Sequence, residues 1–200
     1  MSGEARKSAR EALLDAAERL FAENGVAETS VRAITAAAGA NVAAINYYFG
    51  SREALIEALL ARRLEPLNAV RLRLLEERAP RTASGVLYAL AVPALELCFR
   101  HPHFARLASR LRADTDPRVW EQYRLHQAPF LETFRAALAA TRRDLPADES
   151  ARRLHYVLGA IHHVWAHAPL PPEESPELLV KSFLAFYGTA LDAPAPPTLP

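Results

Sequence analysis

Residues able to do chemistry are gathered in two places along these 200 residues. The first is the stretch from Asn41 to Arg52, which holds an amide (Asn46), two phenols (Tyr47, Tyr48), small side chains (Ala43, Ala44) and a cation (Arg52). An asparagine amide pairs bidentately with the adenine edge, an alanine methyl meets the thymine methyl, and a tyrosine hydroxyl reaches a phosphate. The second place is a run of imidazoles, His155, His162, His163 and His167. His163 and His167 lie four apart on one helical face, a spacing that can ligate zinc. No carboxylate or cysteine follows at a zinc-enzyme spacing, and the glutamate of H-E-x-x-H is absent. A place in a bundle interface or a pocket suits these histidines better. No G-x-S-x-G marks a nucleophile, and no Walker or dinucleotide loop is present to hold phosphates. The chain is therefore read as non-enzymatic, with no cofactor and no metal.

The elements that must position the first group run from Thr29 to Ser51. Val31, Ile34 and Ala38 recur at helical spacing and give one short helix an apolar face. Thr29 or Ser30 can cap its start, and Gly39 supplies the left-handed residue of a sharp turn. Asn41 can cap a second short helix whose inward face is Val42, Ile45 and Phe49. Neither helix is stable alone, so both must pack on the amphipathic segment that runs from a Ser8–Glu11 capping box to Asn24-Gly25. The exposed remainder is a small-faced helix of the kind that enters a major groove, which makes a helix-turn-helix.

The string GVAETSVRAITAAAGANVAAINYYFGSREALIEALL resembles the N-terminal DNA-binding domain of the tetracycline-repressor (TetR) family over about Ser8 to Leu60. The T-S-V-R-x-I start, the A-G turn, the aromatic pair before Phe49 and the S-R-E-A-L opening of the next helix carry the resemblance. Where many members have a tyrosine this chain has Asn46, and it is similar to a branch with N-Y-H/Y-F-G-S-K/R-E-A-L, some of whose members respond to fatty acyl compounds. The resemblance implies an all-α fold: an N-terminal three-helix helix-turn-helix domain (1–50), a helical effector-binding and dimerisation domain (51–192) and a disordered tail (193–200). It also implies a repressor acting as a homodimer on a palindromic operator in double-stranded DNA, in the bacterial cytoplasm. The candidate DNA contacts are Thr29, Ser30, Arg32, Asn41, Val42, Ala43, Ala44, Asn46, Tyr47, Tyr48, Ser51 and Arg52, with Arg52 on a phosphate. Arg6, Lys7 and Arg10 could add contacts from a loose arm.

The rest of the chain is helix punctuated by proline. Ser51 can cap a helix that extends to about Arg78 through Pro66, with Leu55, Ile56, Leu59, Leu60, Leu64 and Leu67 inward. Further helices are predicted near 82–100, 102–113, 117–142, 148–167 and 175–191. Pro93 and Pro129 fall inside apolar helical patterns, and kinked helices can leave a cavity between them. The corresponding region of the family encloses a small-molecule effector, so the candidate pocket residues are Leu95, Phe99, Phe104, Leu107, Leu111, Trp120, Tyr123, Phe130 and Phe134. His103, Arg106 and Arg124 are candidate polar groups. Leu154, Leu158, Ile161, His162, Trp165, Leu179, Phe183 and Phe186 are candidates for a dimer interface. Cys98, the sole cysteine, excludes an intrachain disulfide and reads as a small buried hydrophobe.

Composition alone points nowhere near DNA. The net charge is +1, and residues 1–60 hold six basic against eight acidic side chains, so a DNA-binding face requires the cations to be segregated. No uninterrupted apolar run approaches a membrane span, and the first ten residues lack the apolar core of a signal peptide. Two competing readings remain: a helical-bundle metalloprotein built on His155–His167, and a helical protein–protein adaptor.

Overall fold

The computed structural model describes residues 3–78, 82–111, 117–171, 173 and 175–195, with side chains described from residue 9 onward. These residues form helices joined by short turns, with no strand among them. In chain order the helices are α1 (Gly3–Asn24), α2 (Val31–Ala37), α3 (Ala43–Tyr48), α4 (Arg52–Arg78), α5 (Ala83–Arg100), α6 (Pro102–Arg110), α7 (Pro117–Thr141), α8 (Ala147–Ala166) and α9 (Pro176–Asp192).

The first helix differs from expectation at its start. It is already helical at Gly3, so Ser8 lies inside it and does not open a capping box, and a loose arm over 1–7 is not what residues 3–7 form. Glu11 instead takes part in ion pairs with Arg10 and Arg62. The side chains of Arg6 and Lys7 lie outside the described residues. The remaining boundaries fall within a few residues of those predicted, because caps and prolines mark them. Thr82 and Ser175 cap α5 and α9 through their hydroxyls, and Pro102 opens α6. Pro66, Pro93 and Pro129 all sit within continuous helix. The end predicted for the 102–113 helix and most of the proline-rich tail, 196–200, lie outside the described residues.

Leu13, Leu14, Ala17 and Phe21 of α1 bury against Ile34, Ile45, Leu55 and Leu59 to make a small core at the N-terminal end. The larger core is built around α5, on which α4, α6, α7, α8 and α9 all pack. By length and composition α5 is apolar enough to cross a bilayer, and 67% of it is buried here among other helices. Trp165 on α8 is fully buried and its indole N–H donates to the Ala94 carbonyl at 2.8 Å. Cys98 is buried with its thiol 3.9 Å from the Val164 carbonyl, and burial pushes it up to about 11.

Two arginine-centred networks tie the pieces together. Buried Glu18 on α1 accepts from Arg62 at 2.7 Å and Arg63 at 2.9 Å, both on α4. Arg62 also reaches Asp15 at 2.8 Å, and Arg63 lies 3.3 Å from His101 Nε2 at the α5–α6 junction. Burial, then the Arg63 charge, lowers His101 from the usual histidine range, and because a guanidinium only donates, His101 Nε2 is the acceptor of the pair. At the other end, Arg142 and Arg153 donate to the Leu191 and Ala193 carbonyls, which the end of α9 leaves unpaired.

Candidate DNA-reading helix and effector cavity

The turn between α2 and α3 is fixed by local chemistry. The Ser30 hydroxyl accepts from Ala33 N–H at 3.1 Å and caps α2. Gly39 has φ +65°, and the Ala40 N–H returns to the Thr35 carbonyl at 2.8 Å. Asn41 Oδ1 then accepts from Ala44 N–H at 3.0 Å and starts α3. Gly50 (φ +85°) closes α3, and the Ser51 hydroxyl caps α4 by accepting from Ala54 N–H at 3.0 Å.

Only Ile45 of α3 is buried. Ser30, Arg32, Asn41, Ala43, Asn46 and Tyr47 are exposed, while Ala44, Tyr48 and Ser51 are half-buried along the edge. Val42, expected on the inward face, is 50% exposed because α3 is too short to turn more than one residue fully onto the core. Tyr47 and Tyr48 meet edge to face with ring centroids 4.9 Å apart, and the Arg10 guanidinium lies over the Phe49 ring at 5.1 Å.

Two residues expected at DNA are placed elsewhere. Thr29 is buried, and its hydroxyl donates to the Gly25 carbonyl at 2.8 Å and the Leu20 carbonyl at 3.2 Å. It locks the α1–α2 turn. Arg52 folds back onto the same turn: its guanidinium donates to the Val26 and Thr29 carbonyls, the latter at 3.1 Å, with Phe21 beneath it. It therefore pins the start of α4 to α1.

A cavity of about 420 Å³ lies among α4, α6, α7 and α8. Of the residues expected to line it, Trp120, Tyr123, Phe130 and the polar Arg124 do so. Leu95, Phe104, Leu107, Leu111 and Phe134 are buried but lie in the packed core, and Phe99 is half-buried away from the cavity. The reason is that α5 packs against five other helices, so its inward residues and those facing it meet side chains. His103 and Arg106 are exposed on the outer face of α6.

Of the polar lining, Arg124 and the histidines His155 and His162 were read from the sequence, while Arg71 and Gln127 were not. Arg71 on α4 is 1% exposed. Its Nε donates to the Leu90 carbonyl at 3.0 Å, its Nη1 to Asn68 Oδ1 at 3.2 Å, and its guanidinium lies 4.7 Å from the Phe130 centroid. Burial lowers it to about 10, so it stays a cation at neutral pH. Gln127 Nε2 donates to Tyr123 Oη at 2.9 Å, and Tyr123 Oη lies 2.8 Å from His162 Nε2. Burial pushes the Tyr123 phenol up to about 12. Trp120 stacks on Tyr123 with centroids 5.5 Å apart. The signal for Arg71 was its place as a lone cation on the Leu64–Leu67–Leu75 stripe.

The candidate dimer residues divide as well. Leu154, Ile161, Trp165 and Phe183 are buried within the chain itself and are closed to a second copy. Leu158 and His162 line the cavity. Leu179 is half-buried, and Phe186 is 68% exposed, as are Leu178 and Tyr156 at 60% and 59%. His163 and His167 have ring centroids 4.5 Å apart, and among the described residues no group of three His, Cys, Asp or Glu side chains could hold a metal.

A short exposed helix held by a glycine turn on a three-helix core, followed by a larger helical bundle with a lined cavity, defines a helix-turn-helix DNA-binding protein. Residues 13–59 match the family description "Bacterial regulatory proteins, tetR family", and residues 88–178 match "Tetracyclin repressor-like, C-terminal domain". Together the matches cover more than half of the chain, and the chain belongs to the TetR family of transcriptional regulators, which are DNA-binding proteins and not enzymes. Solved structures share the fold. A TetR-family transcriptional regulator from Bordetella parapertussis 12822 superposes with a TM-score of 0.74 at 19% identity, covering 89% of this chain and 93% of that one. The fatty acid degradation regulator FadR from Bacillus halodurans gives 0.72 at 16%, covering 90% and 94%. The ketosteroid transcriptional regulator KstR2 of Mycobacterium tuberculosis gives 0.66 at 20%, covering 90% and 93%. A sequence search of curated proteins finds no match.

Proposed function

We propose that this protein is a ligand-responsive repressor that binds a palindromic operator as a homodimer and is released by a small amphipathic effector. The observation that carries the reading is the double duty of α4. Its first residue, Arg52, grips the α1–α2 turn behind the reading helix, and Arg71 on the same helix lines the cavity. Nineteen residues of helix span roughly 28 Å at 1.5 Å per residue, so a ligand at one end can tilt the reader at the other. The effector must bind the two states with different affinity, since tight binding alone shifts nothing.

On this reading residues 1–50 form the reading domain, 51–192 the effector-binding and dimerisation domain, and 193–200 a tail, and the protein works on DNA in the cytoplasm. Helix α3 enters the major groove with Val42, Ala43, Asn46 and Tyr47 foremost. Ser30, Arg32, Asn41, Ala44, Tyr48 and Ser51 sit on the flanking phosphates or at the groove edge. The exposed Tyr156, Leu178 and Phe186 supply apolar area for a second copy through α8 and α9. A twofold pair then presents its readers about one DNA turn apart, roughly 34–36 Å. A fatty acyl effector is one amphipathic class of the right kind, and the fatty acid degradation regulator of Bacillus halodurans shares the fold.

The test is fluorescence anisotropy on the DNA flanking the protein's own gene, across a salt series, against scrambled DNA. Tight binding to one palindromic fragment that weakens steeply with salt supports the reading. Failure to enrich any sequence from random DNA would remove it and leave the adaptor.

A further inference from the structure

Arg71 is a buried cation that meets no acid among the described residues. Among the described residues its partners are two neutral oxygens and the face of Phe130, and no carboxylate approaches it. A buried charge without a counter-charge is costly, and a site that keeps one facing a cavity is built for an anion that arrives from outside.

A second group in the same wall is also incomplete. Gln127 is 7% exposed and, among the described residues, its Oε1 has no hydrogen-bond partner. The orientation of that amide is set by a chain of contacts. The Leu158 carbonyl lies 2.8 Å from His162 Nδ1, so in the neutral imidazole Nδ1 carries the proton and Nε2 accepts. Tyr123 Oη then donates to Nε2 and accepts from the Gln127 N–H. The Gln127 oxygen, on a residue that lines the cavity, is left as a buried acceptor without a donor among the described residues.

We propose that the effector is an organic acid that also carries an O–H or N–H donor: Arg71 binds its carboxylate, Gln127 Oε1 accepts its donor, and Trp120, Tyr123 and Phe130 enclose its apolar body. This deepens the ligand-responsive reading and rests on it. It also makes the free acid preferred over its amide or simple ester, because neither of those offers Arg71 a full negative charge.

The test uses the full-length protein and two sets of probes: 3-hydroxydecanoate, decanoate and 3-hydroxydecanamide, and 4-hydroxybenzoate, benzoate and 4-hydroxybenzamide. Binding is read by calorimetry and operator release by anisotropy in matched samples. Within the set that fits the cavity, the hydroxy acid is expected to bind about tenfold or more tighter than the hydroxy amide, as the loss of a charge-assisted hydrogen bond implies. It is also expected to bind tighter than the acid lacking the hydroxyl. R71M removes the preference for acid over amide. Q127L removes the preference for the hydroxyl and leaves the acid preference intact, so the proposal stays testable where R71M fails to fold. Equal binding of acid and amide, an acid preference that survives R71M, or no binding by either set overturns the proposal. Operator binding by the ligand-free protein is measured in the same samples, so such a failure leaves the DNA-binding reading standing, and loss of operator binding is seen separately.

Discussion

Thr29 and Arg52 show how a residue's job depends on what its neighbours leave undone. The helix α1 ends at Asn24, and the Thr29 hydroxyl ties the chain beyond it back by donating to the Gly25 carbonyl, with the Leu20 carbonyl as a second, longer acceptor. Thr29→Val is therefore expected to cost about 1–2 kcal/mol of stability by urea denaturation, the loss for a buried hydroxyl whose acceptors lose their donor. A variant with unchanged stability and weakened operator binding would return Thr29 to the DNA surface. Arg32, by contrast, is exposed on α2. Arg32→Ala is expected to weaken binding to all sequences and to lower the magnitude of the salt slope by about 1, as loss of one phosphate contact does. An unchanged slope would take it out of the interface. Asn46→Ala should relax preference at a single base step by about 1–3 kcal/mol, read by competition with operator variants.

At the scale of elements, the α2–turn–α3 unit rests on Gly39. An added Cβ there meets nothing within 4 Å, so space is not the constraint; φ +65° is. Gly39→Ala is expected to cost about 1–2 kcal/mol, the left-handed penalty for a residue with a Cβ, with a fall in operator affinity as α3 loses its seat. A melting temperature equal to wild type would show that the turn relaxes into another form. Helix existence and most boundaries were legible because their causes are local: Ser30, Thr82 and Ser175 at caps, Gly39 and Gly50 at turns, proline at Pro102 and Pro176. The reading helix was legible for the same reason, with Val42 misplaced because a six-residue helix has almost no inward face. The cavity and the dimer face were less so. Periodicity tells that Leu95, Phe134, Leu154 and Trp165 are buried but not by what, since packed core, void and partner all demand the same apolar stripe. Arg71 matters through its non-local contacts with the Leu90 carbonyl and the Phe130 ring, and Gln127 through the cavity it lines, and neither is encoded by local spacing.

At the scale of the whole molecule, the reading and cavity ends communicate through few connections. Helix α4 runs between them, and Glu18 holds it to α1 through Arg62 and Arg63 while His101 touches the same cluster. A second tie, Arg110 to the Ala22 carbonyl at 3.0 Å, fastens α6 to the end of α1. On the proposed ligand-responsive reading, a ligand that shifts Arg71 moves α1 through these joints, and α2 and α3 ride on α1 and on the start of α4. Glu18→Gln keeps the size of the side chain and removes its charge, which leaves two partly buried arginines without their shared acid. The expected result is a protein that still binds operator and still binds effector but responds weakly: the ratio of operator affinities with and without effector falls toward one, while each ligand's own affinity changes far less. Coupling is reciprocal, so the effector's affinity must lose its dependence on operator to the same degree, and measuring both directions separates lost coupling from lost binding. A full effector response in Glu18→Gln would mean that the signal travels by another route, with the Arg110 joint the next to be cut.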